Sequence, residues 1–143
     1  MKALVLTLLF LLTAPSEAKI YSRCELASVL NQNWEDRYPG DLDYWICMAY
    51  YASKYNTQAV DVHRSGYYGI FQIANKHWCT DDNFRPTRGC NKPCSAFIDD
   101  DITDDIACAK RIWMDHLPST KWWPWTNNCI GPNMSKWSRG CKG

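Results

Sequence analysis

Glutamate is nearly missing from this 143-residue chain: Glu17, Glu25 and Glu35 are the whole supply, and no glutamate follows position 35. Charge of one sign is missing too. The net charge is +1, which argues against long-range attraction to nucleic acid or to an anionic membrane surface. After residue 12 no apolar run approaches the roughly 20 residues a membrane-spanning helix needs, so no membrane span is expected. There is no internal repeat, linker or low-complexity tract to divide the chain. The three histidines, His63, His77 and His116, stand at no ligand spacing from Cys79, Cys90 or Cys94, which argues against zinc. No serine or cysteine stands in a recognisable nucleophile motif, and the histidines read as surface residues.

What is present begins with Lys2, an apolar run over residues 3–12 and the small-x-small pattern Ser16-Glu17-Ala18. This is the layout of a secretory signal peptide, with cleavage expected after Ala18. Residues 1–18 are therefore expected to be removed and residues 19–143 to form a single secreted, extracellular domain, with a monomer expected. Removal takes away Lys2 and Glu17 and leaves the charge balance unchanged. Eight cysteines at positions 24, 47, 79, 90, 94, 108, 129 and 141 fit an oxidising destination and four disulfides. Spacing alone leaves on the order of a hundred connectivities open. Each bridge in a small secreted domain typically contributes about 2–5 kcal/mol.

Ser22-Arg23-Cys24-Glu25 reads as a capping box opening a helix, with Leu26, Val29 and Leu30 on one face. Pro39-Gly40 marks a turn, and Asp43 is the expected cap of a second helix over about residues 44–55, with Ile46, Cys47, Ala49 and Tyr50 as its apolar stripe. Between 58 and 73 the strand formers Val60, Val62, Tyr68, Ile70 and Ile73 surround an Arg64-Ser65-Gly66 turn, the pattern of a small antiparallel sheet. Residues 75–93, with Pro86, Gly89, Pro93 and two cysteines, read as an irregular loop. A third helix is expected over about residues 103–114, after which Pro118 and Pro124 break the chain into short pieces rich in tryptophan. The fold class is α+β, with a helical part and one small sheet.

Residues 94–110 hold the densest chemistry. Asp99, Asp100, Asp101, Asp104 and Asp105 are interleaved with Phe97, Ile98, Ile102 and Ile106, so the acidic run must lie partly in a core. One reading is a solvated helix start, with Thr103 as N-cap and Asp104 and Asp105 at the positive end of the helix dipole. The other is a calcium site, since a hard cation takes six to eight oxygens and a loop entering a helix offers both carboxylates and carbonyls. With no glycine in the run and no closing glutamate, it is not an EF-hand.

Over its whole expected mature length the sequence resembles the C-type lysozyme and alpha-lactalbumin superfamily. The motifs that carry the likeness are Arg23-Cys24-Glu25-Leu26, Asn56-Thr57-Gln58-Ala59, Tyr68-Gly69-Ile70-Phe71-Gln72-Ile73, Trp78-Cys79, the acidic stretch and residues 137–141. The resemblance implies a helical lobe and a β lobe with a sugar-binding cleft between them. It implies the bridges Cys24 to Cys141, Cys47 to Cys129, Cys79 to Cys94 and Cys90 to Cys108. It also implies a structural calcium site, with side-chain oxygens from Asp99, Asp104 and Asp105 and carbonyls from Ala96 and Asp101.

Family catalysis requires two carboxylates about a glycosidic bond, a protonated glutamic acid and an ionised aspartate, the arrangement for which lysozyme is the standard case. The acid is expected in the pattern Glu-Ser-x-x-Asn-Thr-x-Ala, where this chain has Ala52. The aspartate is expected immediately before Tyr68-Gly69, where this chain has Tyr67. A methyl group has no proton to give, and a phenol gives its proton far less readily than a carboxylic acid. Asp61 is the single carboxylate of the sheet region and cannot play both parts. The resemblance therefore implies no catalytic residues and no hydrolase activity.

Gln72, Trp78 and Trp122 match family positions in or beside the cleft, Asp115 falls where an outer sugar-binding carboxylate is expected, and Tyr67 would project into the place of bond cleavage. Trp125 is expected in the core. His77 and Ala74 replace an aromatic and an asparagine that the family often has. The expected partner is a bacterial cell-wall (peptidoglycan) or chitin-type glycan bound in antibacterial, innate-immune defence. Two further readings stay open: an active muramidase using substitute groups, and an alpha-lactalbumin-like regulatory subunit. Against the latter, Tyr50 and Tyr51 stand where alpha-lactalbumin has its partner-contacting Phe-His.

Overall fold

A capping box starts the first helix, as its spacing predicts. Glu25 N donates to Ser22 Oγ at 3.2 Å and Ser22 N donates to Glu25 Oε1 at 3.1 Å, so two amide hydrogens without helical partners are satisfied reciprocally. The computed structural model describes residues 19–33, 42–61, 66–80, 89–115, 122 and 127–141. Within them the chain runs through α1 (Arg23–Asn33), α2 (Leu42–Ser53), β1 (Val60–Asp61), β2 (Tyr67–Tyr68), β3 (Ile73–Ala74), a 3-10 turn (Cys94–Phe97), α3 (Thr103–Met114) and a second 3-10 turn (Met134–Trp137). The expected signal peptide, the Pro39-Gly40 turn, Val62, Arg64-Ser65, Pro86, Pro118 and Pro124 lie outside the described residues.

The three strands form one antiparallel sheet in the order β1-β2-β3, with Val60 opposite Tyr68 and Tyr67 opposite Ala74. Each strand is two residues long, and Ile70, expected among the strand residues, is buried in the turn between β2 and β3. Helices and sheet share one core. Leu26, Leu30, Trp45, Ile46, Phe71, Ile73, Phe97, Ile106 and Ile112 are all buried in it, and Trp45 meets Phe71 edge-on at 6.0 Å. The four disulfides pair as the family resemblance implies, Cys24–Cys141, Cys47–Cys129, Cys79–Cys94 and Cys90–Cys108, and no cysteine is free.

The second helix differs from its sequence expectation at both ends. It begins at Leu42, which places Asp43 inside the first turn, buried, rather than at the cap. It stops at Ser53 because Lys54 and Tyr55 take left-handed backbone conformations, with φ of 52° and 66°. Ile46, Cys47 and Ala49 are buried with Trp45 and Met48, whereas Tyr50 is 39% exposed. Its ring lies 5.6 Å from that of Trp137, so it covers the second 3-10 turn instead of entering the core.

Two contacts tie the end of α2 to its surroundings. The Ser53 hydroxyl lies 2.7 Å from the Ile70 carbonyl and 3.0 Å from that of Ala49, joining helix to sheet turn. The residues ahead of α1 run beside those after α2: Tyr21 N donates to the Tyr55 carbonyl at 3.0 Å, and Ile20 bridges Asn56.

The sheet turn approaches the helical part closely at Gly69, whose φ is +82°. A Cβ there would overlap the Phe97 carbonyl oxygen and stand 2.7 Å from Asp105 Oδ2. Both the backbone conformation and the space require glycine. Gly69→Ala is therefore expected to destabilise the protein by about 2–4 kcal/mol. Urea unfolding measures this; a midpoint equal to the parent's would mean that the turn can retreat from Phe97 without cost.

Candidate functional site

Phe97, Ile102 and Ile106 are buried and fix the acidic segment on both sides, so the aspartates between and beside them are held as an elbow entering α3. The structure sorts the five carboxylates into three tasks. Asp99, Asp104 and Asp105 come together, with one carboxylate oxygen from each lying within 4.8 Å of the others. Asp101 acts as the local cap. Its Oδ1 accepts from Thr103 N at 3.0 Å and from the Thr103 hydroxyl at 2.7 Å, bonds that lower its pKa. Thr103, expected as N-cap, is instead the first helical residue, and the flanking Ile102 offers no side-chain cap. Asp100 belongs to neither group, and its Oδ1 accepts from Lys19 N and from the Thr57 hydroxyl, each at 3.2 Å.

Asp105 is fully buried, and neither of its oxygens has a hydrogen-bond partner among the described residues. Burial pushes its pKa up to about 10, with Asp104 and then Asp99 adding to the rise. Asp99 is raised as well, by desolvation first and then by Asp104 and Asp101. A buried carboxyl with no donor, beside two more carboxylates, is costly for protein groups alone. These three side chains could hold a metal ion, and the unpartnered Asp105 oxygens fit one. Ala96 lies in the 3-10 turn before the cluster and Asp101 in the loop leading to α3.

A cavity of about 480 Å³ borders the elbow on its outer side, lined among others by Asn91, Lys92, Thr103, Asp104 and Arg111. It includes none of the residues expected to bind glycan.

Those residues divide by burial. Ala52 sits in the last turn of α2, half-buried against the core, and Tyr67 is half-buried in β2, directly across the strand pair from Asp61. Asp115 is half-buried at the end of α3. Gln72, Trp78 and Trp122 are only 3%, 4% and 3% exposed. Gln72 takes a left-handed φ of 51°, and its amide nitrogen donates to the Ala59 and Gly69 carbonyls at 3.0 Å each, clamping β1 to the turn after β2. Trp122 lies edge-on to Trp45 at 5.4 Å. A Cβ on Gly89 would collide with the Trp78 ring, so that ring is covered by the chain around Cys90. His77 and Ala74 are half-buried, while His63, His116 and Trp125 lie outside the described residues. Sequence reasoning missed the Asp100–Thr57–Lys19 contacts and the role of Ser53. The one available signal was the Asn56-Thr57 motif, which says nothing of its partners.

A family model described as the C-type lysozyme/alpha-lactalbumin family matches residues 19–141. Among curated proteins, Lysozyme C-1 of Anas platyrhynchos is 42% identical over 148 residues, 99% of each chain. Lysozyme-like protein 1 of Mus musculus is 42% identical over 141 residues, covering 96% of this chain and 95% of that one. Among solved structures, canine milk lysozyme in its holo form superposes with a TM-score of 0.78 at 42% identity, over 87% of this chain and 99% of the other.

The raised Asp105 pKa fixes the sign of a pH dependence for protein kept in chelator. Between the ordinary aspartate pKa of about 4 and about 10, the native state retains a proton there that the unfolded chain has released. Stability attributable to this group is therefore present below the ordinary value and falls as pH rises through that window. Asp105→Asn is expected to remove this slope. Urea midpoints across a pH series read it out, and an unchanged slope in the variant would place the titration elsewhere.

Proposed function

The chain belongs to the C-type lysozyme and alpha-lactalbumin family, and we propose that it is a non-catalytic member: a secreted protein that binds peptidoglycan or chitin-type N-acetylglucosamine glycans in antibacterial defence and carries a structural calcium site. The observation that carries the reading is the pair Ala52 and Tyr67, standing where the family's acid and aspartate are expected. General acid-base help is worth roughly 10² to 10⁴ in rate, and both carboxylates are replaced together. Asp61, opposite Tyr67 in the sheet, supplies one carboxylate where two are needed.

Glycan contact in this reading falls on Tyr67 and Asp115, the two candidates that keep accessible surface. Gln72, Trp78 and Trp122, which also match cleft positions, are nearly fully buried. Secretion is supported by the family match, which starts at Lys19, the residue that cleavage after Ala18 would expose.

Calcium is the cation this oxygen set suits, because it accepts many oxygens in flexible geometry. Asp99, Asp104 and Asp105 with the carbonyls of Ala96 and Asp101 would hold it. Its contribution is to stability, since a ligand bound by the native state alone stabilises it by about 2.7 kcal/mol at 100 times its dissociation constant. Adding calcium to chelator-treated protein is expected to raise Tm, and Asp105→Ala to abolish the rise. An unchanged Tm would leave the elbow as a charged helix start.

Cosedimentation with insoluble peptidoglycan and with chitin, reading reducing sugar in the same tubes, tests the glycan reading. The expected outcome is binding without release, weakened by Tyr67→Ala. Release of sugar would reveal a substitute acid, and absence of binding would point to a protein partner.

A further inference from the structure

Asp100 is the elbow carboxylate that neither the metal cluster nor the helix cap uses. It faces the backbone nitrogen of Lys19, which lies 3.2 Å from Asp100 Oδ1 and 3.2 Å from Thr57 Oγ1. Thr57 is fully buried, and its hydroxyl also stands 3.0 Å from the Lys19 carbonyl and 3.2 Å from Asp100 Oδ1. Its amide donates to the same carbonyl at 2.9 Å.

Counting hydrogens shows what this arrangement suits. A peptide nitrogen has one hydrogen, yet two acceptors face it, one of them a carboxylate. A chain that begins at Lys19 would present an ammonium there, with three hydrogens and a positive charge that serve both acceptors. The Lys19 side chain makes its own ion pair elsewhere, its Nζ lying 3.1 Å from Glu25.

We propose that cleavage after Ala18 builds a structural ion pair. The new α-ammonium of Lys19 binds Asp100 and Thr57, and fastens the amino-terminal segment to the acidic elbow. Any residue left ahead of Lys19 removes the pair. The inference rests on the signal-peptide reading above, and the match of the family model from residue 19 onward agrees with it.

The test compares chains starting at Lys19 and at Ala18, each with Asp100 and with Asp100→Asn, in excess calcium so that cation occupancy is equal. A domain of this extent folds without the leader, since canine milk lysozyme corresponds to 87% of this chain. In the chain starting at Lys19, Asp100→Asn is expected to lower Tm by about 3 °C. The one-residue extension should lower it similarly, and the two changes together no further than either alone. An α-acetylated chain starting at Lys19 should behave as the extended one, which separates charge from length. Additive effects, or an acetylated chain as stable as the free one, would overturn the pairing. Amino-terminal sequencing of protein secreted by cells expressing the full chain should give Lys19. A different first residue would overturn the processing step alone, with the four-chain comparison still deciding the pairing.

Discussion

A buried carboxyl group with no donor among the described residues, set where sheet and helices meet, is the constraint around which this protein is arranged. Asp105 is held there by its neighbours in the chain, since Ile102, Ile106 and Phe97 are all buried and leave the residues between them no other course. The sheet closes over it at Gly69, the one residue type that can sit against the Phe97 carbonyl at that backbone angle. An isolated buried anion of this kind is strongly disfavoured. Asp99 and Asp104 gather beside it, and the three carboxylates together could hold a metal ion.

The cysteine count and the resemblance together made the disulfide scheme legible, and helix-end chemistry made the start of α1 legible. The five aspartates show the limit. Their spacing announced a cation site or a helix start, but their division into cluster, cap and tether depends on Gly69, Thr57 and Lys19, which approach from elsewhere in the chain. Asp43 failed as a cap for a related reason: an aspartate ahead of an apolar run looks the same whether the helix starts after it or one residue before. Periodicity places Tyr50 with the core, but periodicity carries no information about Trp137, which offers it a surface partner.

The same limit governs the residues expected to bind glycan. A tryptophan that matches a cleft position reads alike whether its ring faces solvent or the interior, and here Trp78 and Trp122 face the interior. Gln72 is polar but its amide is engaged by two main-chain carbonyls. Ala52 in the last turn of α2 places no carboxyl beside the core, and Ser53 next to it joins the helix to the sheet turn.

The bridge between Cys24 and Cys141 spans 117 positions and encloses the other three. A single break of the backbone at any point between those two cysteines therefore leaves the two pieces in one covalent molecule. The domain is thereby closed topologically: one protease cut between those cysteines changes its connectivity without releasing a fragment, and the cut chain keeps all four disulfides.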